Sequence, residues 1–277
     1  MRVAIIGTGN IGTDLLVKVL KQPDVHLVAF VGRRPSTKPL PNGVYYSEEG
    51  INFFINNPKC CDLVFDCTDA TTAITNAQVF QSQDVAVIDL TPSGVGPFCV
   101  PNINCDGLSR TKNVNMITCG GQVSLPLLNY FKSKGSITYT EVVTQISSQS
   151  AGMATRLNVD KYIETTEYAI VNILEIPEAK VILNINPDSE TIMQTTVFVK
   201  IDTEDFSDFQ EFIKTVTSYI PNYTIAIPPT QVGFGIIMTS VRIRGSGDYL
   251  SEYYGNLDII NCAALAIMRK YKDTNCL

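Results

Sequence analysis

The chain of 277 residues holds a single histidine, His26, and its eight cysteines form no C-x-x-C pair. A zinc site built from Cys and His pairs is therefore excluded, and so is chemistry that runs on more than one imidazole. Basic residues are sparse and scattered. The net charge is −6 and the longest basic cluster of note is Arg33-Arg34, which excludes a nucleic-acid surface. No apolar run approaches the ~20 residues of a membrane span. The N-terminus enters a strand pattern directly, without the architecture of a signal peptide, so a cytoplasmic location is expected. Disulfides are not expected there, and most of the cysteines read as small hydrophobes. Charged residues make up only 17% of the chain against 45% hydrophobic, the balance of a globular protein with a sizeable core.

Against these absences one stretch is rich. Val3 to Ile6 is a short apolar run that stops at Gly7, and Gly7-Thr8-Gly9-Asn10-Ile11-Gly12 follows in the spacing G-x-G-x-x-G. A helical pattern begins at once, with Ile11, Leu15, Leu16 and Val19 on one face. Strand, glycine turn and helix together are the dinucleotide-binding context. Gly7 permits the tight turn, Gly9 lets backbone approach a pyrophosphate, and Gly12 lets the helix pack on the strand. The helix N-terminus adds N–H donors and a partial positive charge. The second half of this fingerprint departs from the usual form. The strand Leu27–Val31 ends in Gly32-Arg33-Arg34 with no acid to hold a ribose 2′-hydroxyl. Arg33 and Arg34 read either as partners for a 2′-phosphate, pointing to NADP or tolerance of it, or as solvated surface residues.

The first half alternates strands (2–6, 27–31, 63–66, 85–89, 114–117) with helices (11–21, 51–56, 73–81), the pattern of a doubly wound parallel sheet. Beyond residue 125 the texture changes to long half-polar strands at 137–146, 181–185, 192–201 and 235–244, read as antiparallel, with helices at 160–174 and 206–219. The chain is thus read as α/β: an N-terminal doubly wound Rossmann domain over 1–122 and a second α+β domain over 123–254. An apolar C-terminal helix within 255–277 returns to the first domain.

Candidate chemistry falls on Cys119. The strand at 114–117 runs into Thr118-Cys119-Gly120-Gly121-Gln122, and helical spacing resumes at Val123 and Leu127-Leu128. A cysteine at a strand end and helix start lies where such sheets bind ligands, and the helix dipole there lowers a thiol pKa. The glycines leave room for substrate and expose N–H donors for an oxyanion. The alternative is an inert structural cysteine.

Here the chain resembles the acylating acetaldehyde dehydrogenases that partner 4-hydroxy-2-oxovalerate aldolase in aromatic catabolism. The resemblance rests on residues 7–15, Ile88-Asp89-Leu90-Thr91-Pro92, residues 113–122, Ser150-Ala151-Gly152, residues 155–160, residues 245–250 and Gly255-Asn256-Leu257-Asp258-Ile259, in order along the whole chain. It implies a covalent reaction: Cys119 attacks a small aldehyde, hydride passes to NAD or NADP, and coenzyme A takes the acyl group from a cysteine thioester. It links the segment containing Ser150, Ala151, Gly152 and Asn158, and also Asn256, to cofactor binding; Asn256 reads equally as a helix cap. It implies an aldolase partner and a homo-oligomer.

Two departures stand out. The family's Gly-Pro-Gly-Thr-Arg is Gly152-Met153-Ala154-Thr155-Arg156 here, and the Asp of its Met-Arg-Asp-Thr, linked to thiol activation, is Thr195. Loss of that carboxylate keeps open a non-catalytic NAD(P)-binding regulatory subunit. The third reading, a related semialdehyde dehydrogenase, would require a histidine base that His26 is badly placed to supply.

Overall fold

The computed structural model describes residues 1–34, 39–108, 111–152, 155–156, 159–203 and 205–273. They pack as two compact units: Met1–Cys99 with 105–116 and the chain from Ala264 onward, and Val100–Asn104 with Ile117–Ala263.

The first unit is a six-stranded parallel sheet formed by β1 (Arg2–Ile6), β2 (His26–Val31), β3 (Tyr46–Ser47), β4 (Leu63–Asp66), β5 (Ala86–Asp89) and β6 (Asn113–Asn115), in the order β3-β2-β1-β4-β5-β6. This is the doubly wound arrangement, with the order reversing beside β1. Helices α1 (Asn10–Leu20), α2 (Ile51–Asn56) and α3 (Ala70–Ser82) follow β1, β3 and β4. Alternation along the strands sends Ala4, Ile6, Ala29, Val31, Val64 and Val87 to one face, where they pack with Phe53, Phe54 and Phe80. The three rings meet edge-on, with centroids 5.1 and 5.0 Å apart. β3 is a two-residue edge strand that its Pro- and Gly-rich surroundings hide in the sequence.

The second unit is built on a mixed sheet: β7 (Ile137–Ser147), β8 (Ala179–Asn186), β9 (Met193–Ile201), β10 (Tyr223–Gly233) and β11 (Ile236–Ile243), in the order β10-β11-β9-β7-β8. The expectation of antiparallel strands fails for one pair. β7 and β8 run parallel, because the sixteen-residue helix α5 (Val159–Leu174) lies between them and carries the chain back to the same end. β10 escaped the sequence reading because it contains Pro228 and Pro229. Prolines are tolerated there since β10 is the sheet's edge. Helix α4 (Cys119–Lys134) contacts β7, β9 and α5, while α6 (Phe209–Thr217) contacts β10. Tyr130, Phe131, Phe206, Phe209 and Phe212 form an aromatic cluster that joins α4 to α6. On alternate positions the sheet leaves Val143, Ile182, Phe198 and Met238 half-exposed. The last helix, α7 (Gly255–Asp273), starts in the second unit and ends in the first. Among the described residues no helix is long and apolar enough to cross a membrane.

Candidate active site

The first unit gathers the glycine turn at the carboxyl ends of its central strands. Gly7 has φ +102°, and a Cβ there would lie 2.4 Å from the Cys67 backbone that follows β4. A Cβ on Gly12 would lie 1.9 Å from the Gly7 carbonyl oxygen. Both glycines are thus demanded by backbone packing of β1, β4 and α1. Gly9 differs: nothing lies within 4 Å of where its Cβ would be, and no side chain caps α1. The turn therefore has the shape that a dinucleotide pyrophosphate needs, with open space over Gly9 at a helix N-terminus. Thr8 and Ile11 are half-buried beside it and Asn10 is exposed.

Arg33 and Arg34 are exposed beyond β2. Arg33 lies 3.7 Å from Asp69, and Tyr46 donates its hydroxyl to the Arg34 carbonyl. The sequence reading missed this acid because it comes from another strand end. Asp69 caps α3, accepting Thr72 N–H at 3.0 Å and the Thr72 hydroxyl at 2.7 Å, and the Thr72 bonds hold its carboxyl below the usual range. Two further carboxylates are buried nearby. Asp66 and Asp89 face one another in register at the ends of β4 and β5. Burial raises both, Asp89 to about 6, against donated bonds from Thr68 and Asn76 to the first and from Thr91, Ser93 and Asn115 to the second. His26 is an exposed residue at the start of β2.

The second unit holds Cys119. The strand expected at 114–117 stops at Asn115, and Ile117 adopts φ +64°. A β-branched residue in that region costs about 1–3 kcal/mol and is held only where its surroundings insist on it. The turn delivers Thr118 as the cap of α4, with Cys119 as the first helical residue. Thr118 Oγ1 accepts the Gly121 N–H at 2.9 Å and pairs with Thr166 Oγ1 at 2.7 Å. The Gly121 N–H is therefore spent on the cap and is not an oxyanion donor.

Gly120 likewise serves a different purpose from the one expected of it. A Cβ there would lie 1.9 Å from Tyr162 Oη, so its bareness makes room for a protein hydroxyl. Cys119 itself is half-buried. Burial pushes its thiol up to about 11, against the opposing pull of the Tyr162 hydroxyl and the backbone N–H groups of Gly120 and Cys119. Desolvation thus acts against the lowering expected of a helix terminus. Tyr162 was missed because its place in a 3.6-residue pattern reads as core.

Ser150, Ala151 and Gly152 follow β7. Ser150 is anchored by Ser147, and Arg156 donates to the carbonyls of Ala151 and Ser148, both at 2.9 Å. Buried Asn256, at the start of α7, reaches the Ser150 carbonyl at 3.5 Å, while its Oδ1 lacks a hydrogen bond. The structure thus joins Asn256 to the Ser150 loop and leaves one buried acceptor there without a hydrogen bond. Asn158 lies outside the described residues.

Comparison with known proteins follows this division. Residues 2–110 match the NAD-binding domain of semialdehyde dehydrogenase, and residues 119–251 match the dimerisation domain of prokaryotic acetaldehyde dehydrogenase. The chain is 45% identical to an acetaldehyde dehydrogenase of Spirochaeta aurantia, covering 98% of this chain and 94% of that one. It is 42% identical to one of Pectobacterium atrosepticum, covering 96% and 94%. Among solved structures, an aspartate semialdehyde dehydrogenase II of Vibrio cholerae superposes with a TM-score of 0.67 at 18% identity, over 98% of this chain and 99% of that one. An aspartate semialdehyde dehydrogenase of Candida albicans gives 0.65 at 13% identity, covering 100% and 99%. At those identities the likeness is one of fold. Identity above 40% along nearly the whole length goes further: the chain belongs to the acetaldehyde dehydrogenase family, NAD-binding oxidoreductases.

Proposed function

We propose that the protein converts acetaldehyde or a similar small aldehyde, with coenzyme A and a nicotinamide dinucleotide, to the acyl-CoA. The carrying observation is Cys119 at the first position of α4, half-buried, directly after the Thr118 cap and the turn that follows β6. In the forward reaction the S–H bond breaks and an S–C bond forms to the aldehyde carbon. The carbonyl π pair moves to oxygen, which gains a proton, giving a thiohemiacetal. A bound nicotinamide would supply the hydride acceptor for the passage from thiohemiacetal to thioester, the hydroxyl proton leaving to solvent. The thiol of coenzyme A then displaces Cys119, which recovers its proton.

The dinucleotide is assigned to Gly7, Thr8, Gly9, Asn10, Ile11 and Gly12 at the pyrophosphate, with Arg33 and Arg34 toward the ribose. Ser150, Ala151, Gly152 and Asn256 are assigned to the nicotinamide end, and Asn158 joins them through the family resemblance. The open space over Gly9 and the unsatisfied Asn256 Oδ1 support this. With Arg33 beside Asp69, both NAD and NADP are expected to bind: the guanidinium favours a 2′-phosphate and the carboxylate a 2′-hydroxyl. The first unit is assigned to the dinucleotide, and the second, which begins at Ile117 and so carries Cys119, to catalysis and association. Two copies pair through the second unit, where Val143, Ile182, Phe198 and Met238 offer apolar surface. The setting is the cytoplasm, with an aldolase as a further partner.

The test is reduction of NAD or NADP by acetaldehyde with and without coenzyme A, together with mass spectrometry after incubation with acetyl-CoA. CoA-dependent turnover and an acetyl group on Cys119 are expected. Turnover of aspartate semialdehyde alone would point to the semialdehyde reaction. Nucleotide binding without any turnover would point to a regulatory subunit.

A further inference from the structure

Among the described residues, the groups that act on the Cys119 thiol are the Tyr162 hydroxyl and two backbone N–H groups, with no charged side chain among them. The family resemblance places a thiol-activating carboxylate at position 195, where this chain has threonine. What stands in that region instead is a row of buried hydroxyls. Thr195 on β9 and Thr144 on β7 are register partners, their Oγ1 atoms 3.1 Å apart, and both are fully buried. Thr144 Oγ1 lies 3.6 Å from the position of a Cβ on Gly120, and Tyr162 Oη lies 1.9 Å from that same position. Tyr162 is 7% exposed, and its Oη closes no well-formed hydrogen bond. Thr144 and the Cys119 thiol are the side chains it faces. A buried hydroxyl left in this way costs stability, and its retention calls for a reason. The absence of a side chain at Gly120 is what admits it to the first turn of α4, next to Cys119.

We propose that Tyr162 is a catalytic residue of the Cys119 reaction, its hydroxyl donating a hydrogen bond to the sulfur as thiolate character develops, with Thr144 and Thr195 as positioning residues behind it. The row is an uncharged replacement for the missing carboxylate. It works by donation to the thiolate, whereas a carboxylate works by accepting the thiol proton. Burial raises Tyr162 well above the ordinary tyrosine range, so the hydroxyl is available as a donor at neutral pH. Donation to an ionised sulfur is charge-assisted and stronger than a neutral bond. This proposal rests on Cys119 being the nucleophile.

The test is the rate at which iodoacetamide alkylates Cys119 as a function of pH, followed on the Cys119 peptide by mass spectrometry. Wild type, Tyr162→Phe, Thr144→Val and Thr195→Val are compared. Tyr162→Phe should slow alkylation near pH 8 by about tenfold, one unit of thiol pKa, and displace the whole profile upward. The two Thr→Val variants, which leave the ring in place, should slow it by about two- to threefold in the same direction. A Tyr162→Phe profile that superposes on wild type overturns the proposal. If Tyr162→Phe does not fold, Thr144→Val decides, and an unshifted profile there overturns it equally. Alkylation needs neither aldehyde nor cofactor. A shifted profile in a protein that makes no acetyl-CoA therefore sinks the CoA reaction while leaving the Tyr162 assignment standing.

Discussion

Two helices in this chain begin on glycine-rich turns after a parallel strand, and the two turns are finished differently. At α1 the outer glycines are filled by backbone, Gly7 against Cys67 and Gly12 against Gly7, while Gly9 faces open space and no side chain caps the helix. At α4 the cap is supplied by Thr118, and the space at Gly120 is taken by Tyr162. One turn leaves the space at its middle glycine open. The other turns its terminus inward on a single sulfur. Glycine spacing alone does not separate the two uses; what fills the missing Cβ does.

The comparison breaks most severely at the sulfur. Cys119→Ala should lower kcat for aldehyde oxidation by about a thousandfold or more, since a covalent nucleophile has no substitute, while dinucleotide binding measured by fluorescence stays as in wild type. Next is the glycine that admits Tyr162. Gly120→Ala should cost about 3 kcal/mol of stability, the upper part of the range for overpacking a buried site. Chemical denaturation should show part of that loss returned in the double variant Gly120→Ala/Tyr162→Phe.

The matching substitution in the first turn should behave in the opposite way. Gly9 has φ −74° and an empty surround, so Gly9→Val is expected to leave the melting temperature in place. It should weaken NAD binding by calorimetry on the order of 100-fold, because the side chain occupies the path of the pyrophosphate.

A buried acid sharpens the contrast further. Asp89 takes up its proton at about 6, above the ordinary carboxylate value, so the folded state holds that proton more tightly than the unfolded chain does. The associated stability is fully present below about pH 4 and is lost as pH rises through about 6, a change of about 2 kcal/mol for a single group. In Asp89→Asn the difference in denaturation free energy between pH 4 and pH 7 should shrink by that amount. The smallest effect is expected at Arg33. Arg33→Asp should move the NADP-to-NAD ratio of kcat/KM toward NAD by about tenfold, one charge-assisted contact. An unchanged ratio would mark the Arg33–Asp69 pair as a plain surface contact.

The first turn was legible because its meaning lies within one short segment: apolar run, spaced glycines, helical period. The doubly wound parallel sheet followed from alternation of buried strands and helices, and the position of Cys119 at a helix start from the Thr-Cys-Gly-Gly break. What was illegible depends on residues far apart in sequence. Tyr162 sits 43 positions beyond Cys119 and looks like any apolar-face residue of α5. Asp69 meets Arg33 only because β1 lies between β2 and β4. The burial that acts against a lowered Cys119 thiol is a property of the packed unit, whereas the helix terminus that favours it is visible in sequence. β10 was lost to its prolines, since strand propensity is read locally and the tolerance of an edge is not.

Those prolines bear on how the protein stays a discrete particle while it is being made. A sheet margin with a continuous row of amide hydrogens is a template on which another extended chain can crystallise, and a freshly synthesised molecule presents such a margin before anything else is in place. Pro228 and Pro229 interrupt the row of amide hydrogens along β10. Ribbon-like growth from that margin is interrupted, and self-association is diverted from open-ended stacking to closed pairing of surfaces, which stops at a defined number of subunits.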